Sequence, residues 1–503
     1  MSTEENKPKK HGGGMKIIPQ SVPLTVLMIV VFLIEAVFLF MLEGLNILPG
    51  KFTVPVLIVL IAVLVLIVKL LCCRKDKTKQ RKVGVVISAV VIAVMAVGIY
   101  YLYTTSSMFG RISSEDVQTE DFYVMAIKGG SYSKLKDIDG ETVYITSTET
   151  DTYAEAKEEL LKEVDVDYSE ADADTDGNGV SVSDNFAVGC MLVDEEGNKD
   201  DNVIFISSGI YEILCDEISE FEDNTRIIYT ITVEVESDDI ADRTDVTKNA
   251  FNVYISGIDT YGGISKVSRS DVNMIMTVNP VTKEILLTSI PRDMYVTLHT
   301  YGAKDKLTHS GIYGVDETVS TVEDWLGVDI NYYIRVNFTT LVDVVDALGG
   351  IEVESDYAFS AGGYSFVVGT NQLDGDAALA FSRERYSFSS GDNQRVKNQQ
   401  KVITGIINKI TGSTAILTKY TQLLNSVGDE MQTNLSSSDI SALVKMQLKD
   451  LGGWTIKSIS VTGTGTYSST YSMGSTQLYV MIPDDTSVSE AQEEITKVMN
   501  GED

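Results

Sequence analysis

Ser289, Ile290, Pro291, Arg292 and Asp293 form a short run in which a guanidinium and a carboxylate follow a proline. The apolar residues 284–288 predict a buried strand, and Pro291, which has no N–H to donate, ends its ladder. Arg292 and Asp293 are thereby placed at a strand end. Some hundred residues later, Arg383, Arg385, Asp392, Arg395, Gln399 and Gln400 surround a turn that opens a helix. Arginines gathered near two turns of an acidic chain call for an anionic ligand. A planar guanidinium binds two phosphate oxygens at once and stays charged at any physiological pH. Transfer of a phosphoryl group from a pyrophosphate needs charge neutralisation that is strongest in the transition state. Arg292, Arg383, Arg385 and Arg395 are therefore candidate pyrophosphate ligands. Arg383 and Arg385 share a face only if the preceding helix ends near them.

Carboxylates complete the set. Asp259 and Asp271 are expected at strand ends beside loops, where hard oxygens suit a magnesium ion bridging phosphate oxygens. Asp293 and Asp392 are placed to orient the arginines or to accept a proton from an incoming hydroxyl. The competing reading is a set of ordinary ion pairs capping turns. Other chemistries fare worse: His299 and His309 have no thiolates at zinc spacing, and no G-x-S-x-G elbow, Walker loop or G-x-G-x-x-G is present.

The elements that must hold these residues alternate. Strands are expected at 251–258, 272–278, 283–289, 351–354, 454–461 and 477–482. Helices are expected at 316–326, 339–348, 374–381, 396–410, 414–426 and 437–450. Such a succession implies an α/β fold, a mixed sheet flanked by helices. Upstream, strands at 122–127, 142–145 and 203–206 and a helix at 152–163 read as a separate small α/β accessory domain without a cluster of catalytic residue types. Asp172, Asp174, Asp176 and Gly177 imitate a calcium loop, but its twelfth position is Ser183 rather than Glu, so a solvated acidic turn is the better reading.

Charge and hydropathy divide the chain further. The formal net charge is −32, yet residues 1–103 hold 12 Lys and Arg against 5 Asp and Glu, and the remainder holds 28 against 67. So acidic a body repels nucleic acid. Three apolar spans, at 23–41, 54–72 and 83–103, are each long enough to cross a membrane. Basic residues before the first span and between the second and third set the N-terminus inside and everything after Tyr103 outside. For Glu35 in the first span and Lys69 near the end of the second, a buried pair with a role is the alternative to the better reading, in which Lys69 snorkels to the cytoplasmic interface. Cys72 and Cys73 close the second span, with palmitoylation the alternative to a plain apolar ending. Cys190 and Cys215 allow one exterior disulfide. The expected organisation is a cytoplasmic tail at 1–22, three transmembrane helices at 23–103, an extracellular accessory domain at 115–245, a catalytic domain at 250–485 and a C-terminal tail at 486–503.

Gly257-Ile258-Asp259, Arg269-Ser270-Asp271, Asn279-Pro280, Ser289-Ile290-Pro291-Arg292-Asp293, Asp305-Lys306, Ala347-Leu348-Gly349-Gly350, Leu373-Asp374-Gly375, Arg383-x-Arg385 and Gly391-Asp392-x-x-Arg395 with Gln399-Gln400 occur in that order. The set resembles the LytR-CpsA-Psr family of cell-wall glycopolymer transferases, in its capsule-associated form with an accessory domain. The resemblance implies transfer of an anionic glycan, a teichoic acid or capsular polysaccharide, from a polyprenyl-pyrophosphate carrier to peptidoglycan. It implies pyrophosphate on Arg292, Arg383, Arg385 and Arg395 with Gln399 and Lys306 beside them, and a lipid tail in an apolar tunnel between sheet and helices. Magnesium on Asp259 and Asp271 is implied as well, with Asp271, Arg292 and Asp392 as the catalytic residues. Asn398 departs from the arginine that commonly precedes the paired glutamines. A membrane-anchored sensor that binds the lipid without turnover, and a pyrophosphatase, are the alternatives.

Overall fold

The computed structural model describes residues 21–73, 77–112, 118–146, 150–171, 185–194, 196–235, 240–258, 264, 267–389, 391–412, 423 and 431–502. Asp259, the acidic turn at 172–177 and all but one residue of the helix expected at 414–426 lie outside them.

Helices α1 (Val22–Leu45), α2 (Gly50–Leu71) and α3 (Thr78–Ile112) are long and apolar enough to cross a membrane. They belong to one compact unit, and residues 108–439 and 451–503 form another.

The second unit begins with a five-stranded sheet. Its strands are β1 (Gln118–Ile127), β2 (Thr142–Ile145), β3 (Asp167–Glu170), β4 (Val203–Ser207) and β5 (Thr225–Val235), in the order β3-β2-β4-β1-β5. Helix α4 (Asp151–Glu163) covers one face, burying Tyr153, Ala156 and Leu160 at helical spacing. Helix α5 (Ser208–Glu217) leaves β4 directly, its first turn capped by the Ser207 hydroxyl, which accepts from the Ile210 N–H at 3.4 Å. This layer is not a body apart. Ile210, Ile213 and Leu214 of α5 share one core with Ile312, Met473 and Leu478 from the downstream part. Gly209 makes the approach possible, because a Cβ there would lie 2.7 Å from Ile312 Cβ. No disulfide joins Cys190 to Cys215.

The second layer is a six-stranded mixed sheet. It contains β6 (Phe251–Gly257), β7 (Val272–Asn279), β8 (Glu284–Ile290), β9 (Tyr332–Val336), β10 (Met431–Thr433) and β11 (Thr455–Ser460), in the order β10-β9-β6-β7-β8-β11. β9 runs parallel to β6 and β11 parallel to β8, while β6, β7 and β8 form an antiparallel meander. β6 and β8 are buried from end to end, as an internal strand covered on both faces must be. The β7–β8 turn is set by Asn279, whose Oδ1 accepts from the N–H groups of Val281 and Thr282 at 3.0 and 3.2 Å.

Helices cover both faces. Leu326, Val322 and Val319 of α6 (Val315–Leu326) pack on one side of the sheet with Tyr254, Ile275 and Leu286. The other side carries α7 (Phe338–Leu348), α8 (Gly375–Arg383) and α9 (Asp392–Thr411). Asn337 caps α7 by accepting from the Thr340 N–H at 2.9 Å, and Asp374 caps α8 by accepting from that of Ala377 at 2.9 Å. Gly375 lets α8 meet α7, since a Cβ there would sit 2.4 Å from the Val342 carbonyl oxygen. The Leu373-Asp374-Gly375 motif is thus a cap followed by a close approach.

Residues 486–503 are not the C-terminal tail that was expected. Asp485–Asn500 is a helix, α10, capped by Asp484, and its Ala491, Ile495 and Val498 are buried against β7 and β8. Apolar residues at i, i+4 and i+7 carry that signal. Asn279 Nδ2 donates to the Val498 carbonyl at 2.8 Å and ties the helix to the hairpin. Ile495→Ala should destabilise the folded chain by about 3 kcal/mol through lost burial and a residual cavity. Urea unfolding of the detergent-solubilised full chain measures this, and an unchanged midpoint would show that α10 is dispensable.

Candidate active site

β8 ends at Ile290 and Pro291 breaks the ladder, so Arg292 and Asp293 leave the sheet edge together, as their spacing required. Across from them α8 ends at Arg383, and the next residue, Glu384, is extended with φ −67° and ψ 127°. Arg383 and Arg385 can therefore serve one site. Arg395 and Gln399 lie on the first two turns of α9. The structure brings Asp271, Arg292, Lys306, Arg383, Arg395 and Gln399 around a single cavity of about 610 Å³, with Arg385 beside them. Asp392 stands behind it, paired with Arg395. The inner wall is apolar: Ile255, Val272, Val336, Leu341, Val402 and Ile403 line the space between the sheet and helices α7 and α9.

Asp271 is the hinge of the polar end. Its Oδ1 accepts from Arg292 Nη1 at 2.8 Å and from the Thr308 hydroxyl at 3.2 Å, and the side chain is 13% exposed. Burial alone would raise its pKa, but Arg292, Arg269 and Arg395 outweigh burial and hold the carboxyl below its usual range. Arg292 is shifted the other way. Burial works against its charge, and Asp271 and Asp293 more than restore it. Arg395 is lowered, first by burial and then by repulsion from Arg292 and Arg385, with Asp392 opposing both. The guanidinium of Arg383 lies over the Phe338 ring at 4.2 Å. Arg385 donates to the Tyr386 hydroxyl at 2.6 Å.

Buried Nε donors of Arg292 and Arg395 have no hydrogen-bond acceptor among the described residues. An unsatisfied buried donor costs about 1–3 kcal/mol, so the site holds capacity for anionic oxygens that the fold itself does not use.

Several residues around the cavity were not singled out as site residues from the sequence. Arg269 stands in the Arg269-Ser270-Asp271 motif but was given no role; it pairs with Asp216 and lies 3.6 Å from Glu212, both on α5. Asp216 and Glu217 of α5 line the cavity. Their only signal is that Glu212, Asp216 and Glu217 fall at i, i+4 and i+5, one face of an otherwise apolar helix. The accessory layer, in which the sequence shows no cluster of catalytic residue types, thus reaches the site. His309 also lines the cavity, buried, with Nδ1 2.7 Å from Asp305 Oδ1 and 2.8 Å from Ser472 Oγ. Both partners meet the same ring nitrogen, so no serine–histidine–aspartate relay is formed.

Asn398 does not reach the cavity. It is buried, donates to the Phe381 carbonyl at 3.2 Å and accepts from Gln394 Nε2 at 3.0 Å, tying α9 to the end of α8. Gln400 is likewise internal, its Nε2 donating to the Ile459 carbonyl at 2.5 Å.

Comparison with known families matches residues 222–495 to the LytR_cpsA_psr family. The chain belongs to that family. Among curated relatives of this LytR_cpsA_psr protein is the polyisoprenyl-teichoic acid–peptidoglycan teichoic acid transferase TagU of Enterococcus faecalis. It is 38% identical over 220 residues, which are 43% of this chain and 72% of that protein. Its counterpart from Bacillus subtilis is 40% identical over 223 residues, 44% of this chain and 70% of the relative. Among solved structures, B. subtilis TagU is 35% identical and covers 50% of this chain and 97% of its own, with a TM-score of 0.40.

The depressed Asp271 carboxyl fixes a pH dependence. Its ionised form contributes stability that is fully present above the unfolded aspartate value of about 4 and is lost as pH falls through the lower folded value. Asp271→Asn should therefore cost about 3 kcal/mol at pH 7 by leaving Arg292 and Arg269 under-compensated. The gap between the two proteins should narrow as pH falls below about 4. Unfolding midpoints measured from pH 7 to pH 3 check this, and a gap that does not narrow below about pH 4 would contradict it.

Proposed function

We propose that this LytR_cpsA_psr protein transfers an anionic glycopolymer, a teichoic acid or capsular polysaccharide, from a polyprenyl-pyrophosphate carrier to peptidoglycan. The observation that carries the reading is the convergence of Arg292, Arg383, Arg385, Arg395 and Lys306 on one cavity whose inner wall is apolar. A pyrophosphate joined to a long hydrocarbon presents those two chemistries side by side. The arginines meet the phosphate oxygens bidentately, Gln399 adds a neutral contact, and the apolar wall takes the prenyl chain. The names of the teichoic acid transferases to which the chain is similar support the same substrate class.

In this reading the acceptor hydroxyl of peptidoglycan attacks the phosphorus that bears the glycan. A new P–O bond forms as the bond to the bridging oxygen breaks, and polyprenyl phosphate leaves. The hydroxyl proton passes to a carboxylate, for which Asp293 lines the cavity beside Arg292 and Lys306. Arg292 and Arg395 neutralise charge on the equatorial and leaving oxygens as it develops. Asp392 holds Arg395 in position. Gln399 and Arg383 orient the donor from the α8–α9 side.

The one described member of the implied magnesium pair, Asp271, has the chemistry such an ion needs. Asp271 is held ionised, and among the described residues its two hydrogen bonds both fall on Oδ1, which leaves Oδ2 as the atom a hard cation would take; Asp259, the second ligand the resemblance implies, lies outside the described residues. The ion would supply Lewis-acid polarisation of a phosphate oxygen.

Three apolar helices anchor the chain, and the basic flanks of the first and the α2–α3 loop orient the N-terminus to the cytoplasm and the catalytic part to the exterior. That is the face on which a polyprenyl carrier meets the wall.

Arg292→Ala should lower the rate of transfer by about 10²- to 10³-fold. The measurement is turnover of a short polyprenyl-pyrophosphate glycan by the full chain, with the unfolding midpoint as control. Chelation should remove activity and added magnesium restore it. Unchanged turnover in the folded variant would overturn the assignment of the pocket.

A further inference from the structure

Helix α5 of the accessory layer begins and ends a chain of alternating charges around the cavity. Glu212 and Asp216 hold Arg269. Arg269 acts electrostatically on Asp271, and Asp271 Oδ1 accepts from Arg292. Arg292 Nε lies 3.9 Å from Asp293 Oδ2, and Asp293 Oδ1 lies 3.8 Å from Lys306 Nζ. Lys306 Nζ then lies 3.7 Å from Glu217 Oε1, back on α5 and next in sequence to Asp216. The ring closes on one helix turn.

Charge balance gives the ring a meaning. Among the described residues in and around the cavity, six cationic side chains face six carboxylates, and three of those carboxylates belong to α5. With them the set is formally neutral; without them it would suit a pyrophosphate of about two negative charges. Lys306 makes the point locally. Its side chain is only 9% exposed, and two carboxylates flank its ammonium. A phosphate oxygen that reaches this ammonium must replace one of them. Asp293 follows β8 with its carbonyl held by the Met481 N–H at 2.8 Å and its side chain 18% exposed, whereas Glu217 is the last residue of α5 and the more exposed of the two, at 30%. The helix itself is held in place by Gly209 against Ile312 and by the shared core, so the accessory layer presents Glu217 in a fixed register.

Resting on the pyrophosphate reading of the cavity, we propose that the accessory layer is a working part of the site: Glu217 is a positioning residue that holds Lys306 at the cavity edge as a counter-ion and is displaced by the donor's pyrophosphate. The layer thereby sets how tightly the donor is held. A neutral side chain at 217 leaves Lys306 uncompensated, so it strengthens anion binding instead of weakening it. A merely structural role would move affinity the other way or leave it alone.

The test is calorimetric titration of the detergent-solubilised full chain with inorganic pyrophosphate in magnesium buffer. Glu217→Gln should bind about five-fold more tightly than the natural protein, the scale expected for a partly exposed ion pair. In a Lys306→Met background the same change should have no effect, because Glu217 acts through that ammonium. The unfolding midpoint of each variant confirms that it is folded. Equal or weaker binding by Glu217→Gln, or a gain that survives in the Lys306→Met background, would overturn the proposal and leave the pocket assignment standing. A natural protein that binds no pyrophosphate would overturn the pocket assignment and the proposal together.

Discussion

The arginines at the end of the sheet depend on one carboxylate. Asp271 accepts from Arg292 at 2.8 Å and stabilises Arg269 and Arg395 through space. Without it, half-buried guanidiniums would face one another across a partly desolvated cavity, where each like-charge pair is far more costly than in water. The sheet supplies the geometry that makes this pairing possible. β7 starts just after Asp271 and β8 ends just before Arg292, and because the two strands are antiparallel neighbours, the residues flanking them meet at one edge. A hundred residues of chain then return α8 and α9 to the same edge to add Arg383, Arg385 and Arg395.

Much of this was legible from residue types. Pro291 marked the strand end, the Arg383-x-Arg385 spacing demanded that a helix stop there, and α8 does stop at Arg383. The strands of the meander were readable because continuous apolar runs between turn residues have few other solutions. Less legible were contacts that depend on what lies far away in sequence. The tail expected after 485 is a helix because Ala491, Ile495 and Val498 find the hairpin of β7 and β8, and a short amphipathic segment alone does not announce its partner. Asn398, set against the arginine common in the family, turns out to be an internal tie between helices. Asp259, implied as a metal ligand, lies outside the described residues.

The accessory layer was the largest gap. Composition marked it only as acidic, and acidic helices are mostly solvated faces. What the sequence could not convey is that Gly209 brings α5 onto Ile312, and that this approach aims Asp216 and Glu217 at Arg269 and Lys306. The general acidity of the exterior part, an obstacle for a protein that handles an anionic polymer, becomes local and structured at the site. Cations concentrate at one cavity, with carboxylates spaced among them.

The most direct measurement is the mass of the products when the full chain is given magnesium, a short polyprenyl-pyrophosphate glycan and peptidoglycan oligomers. A glycan phosphate joined to peptidoglycan, with one polyprenyl phosphate released for each joined product, is the predicted result. Polyprenyl phosphate released without a joined product, or a donor bound and recovered intact, would contradict it, pointing to hydrolysis in the first case and to sensing in the second.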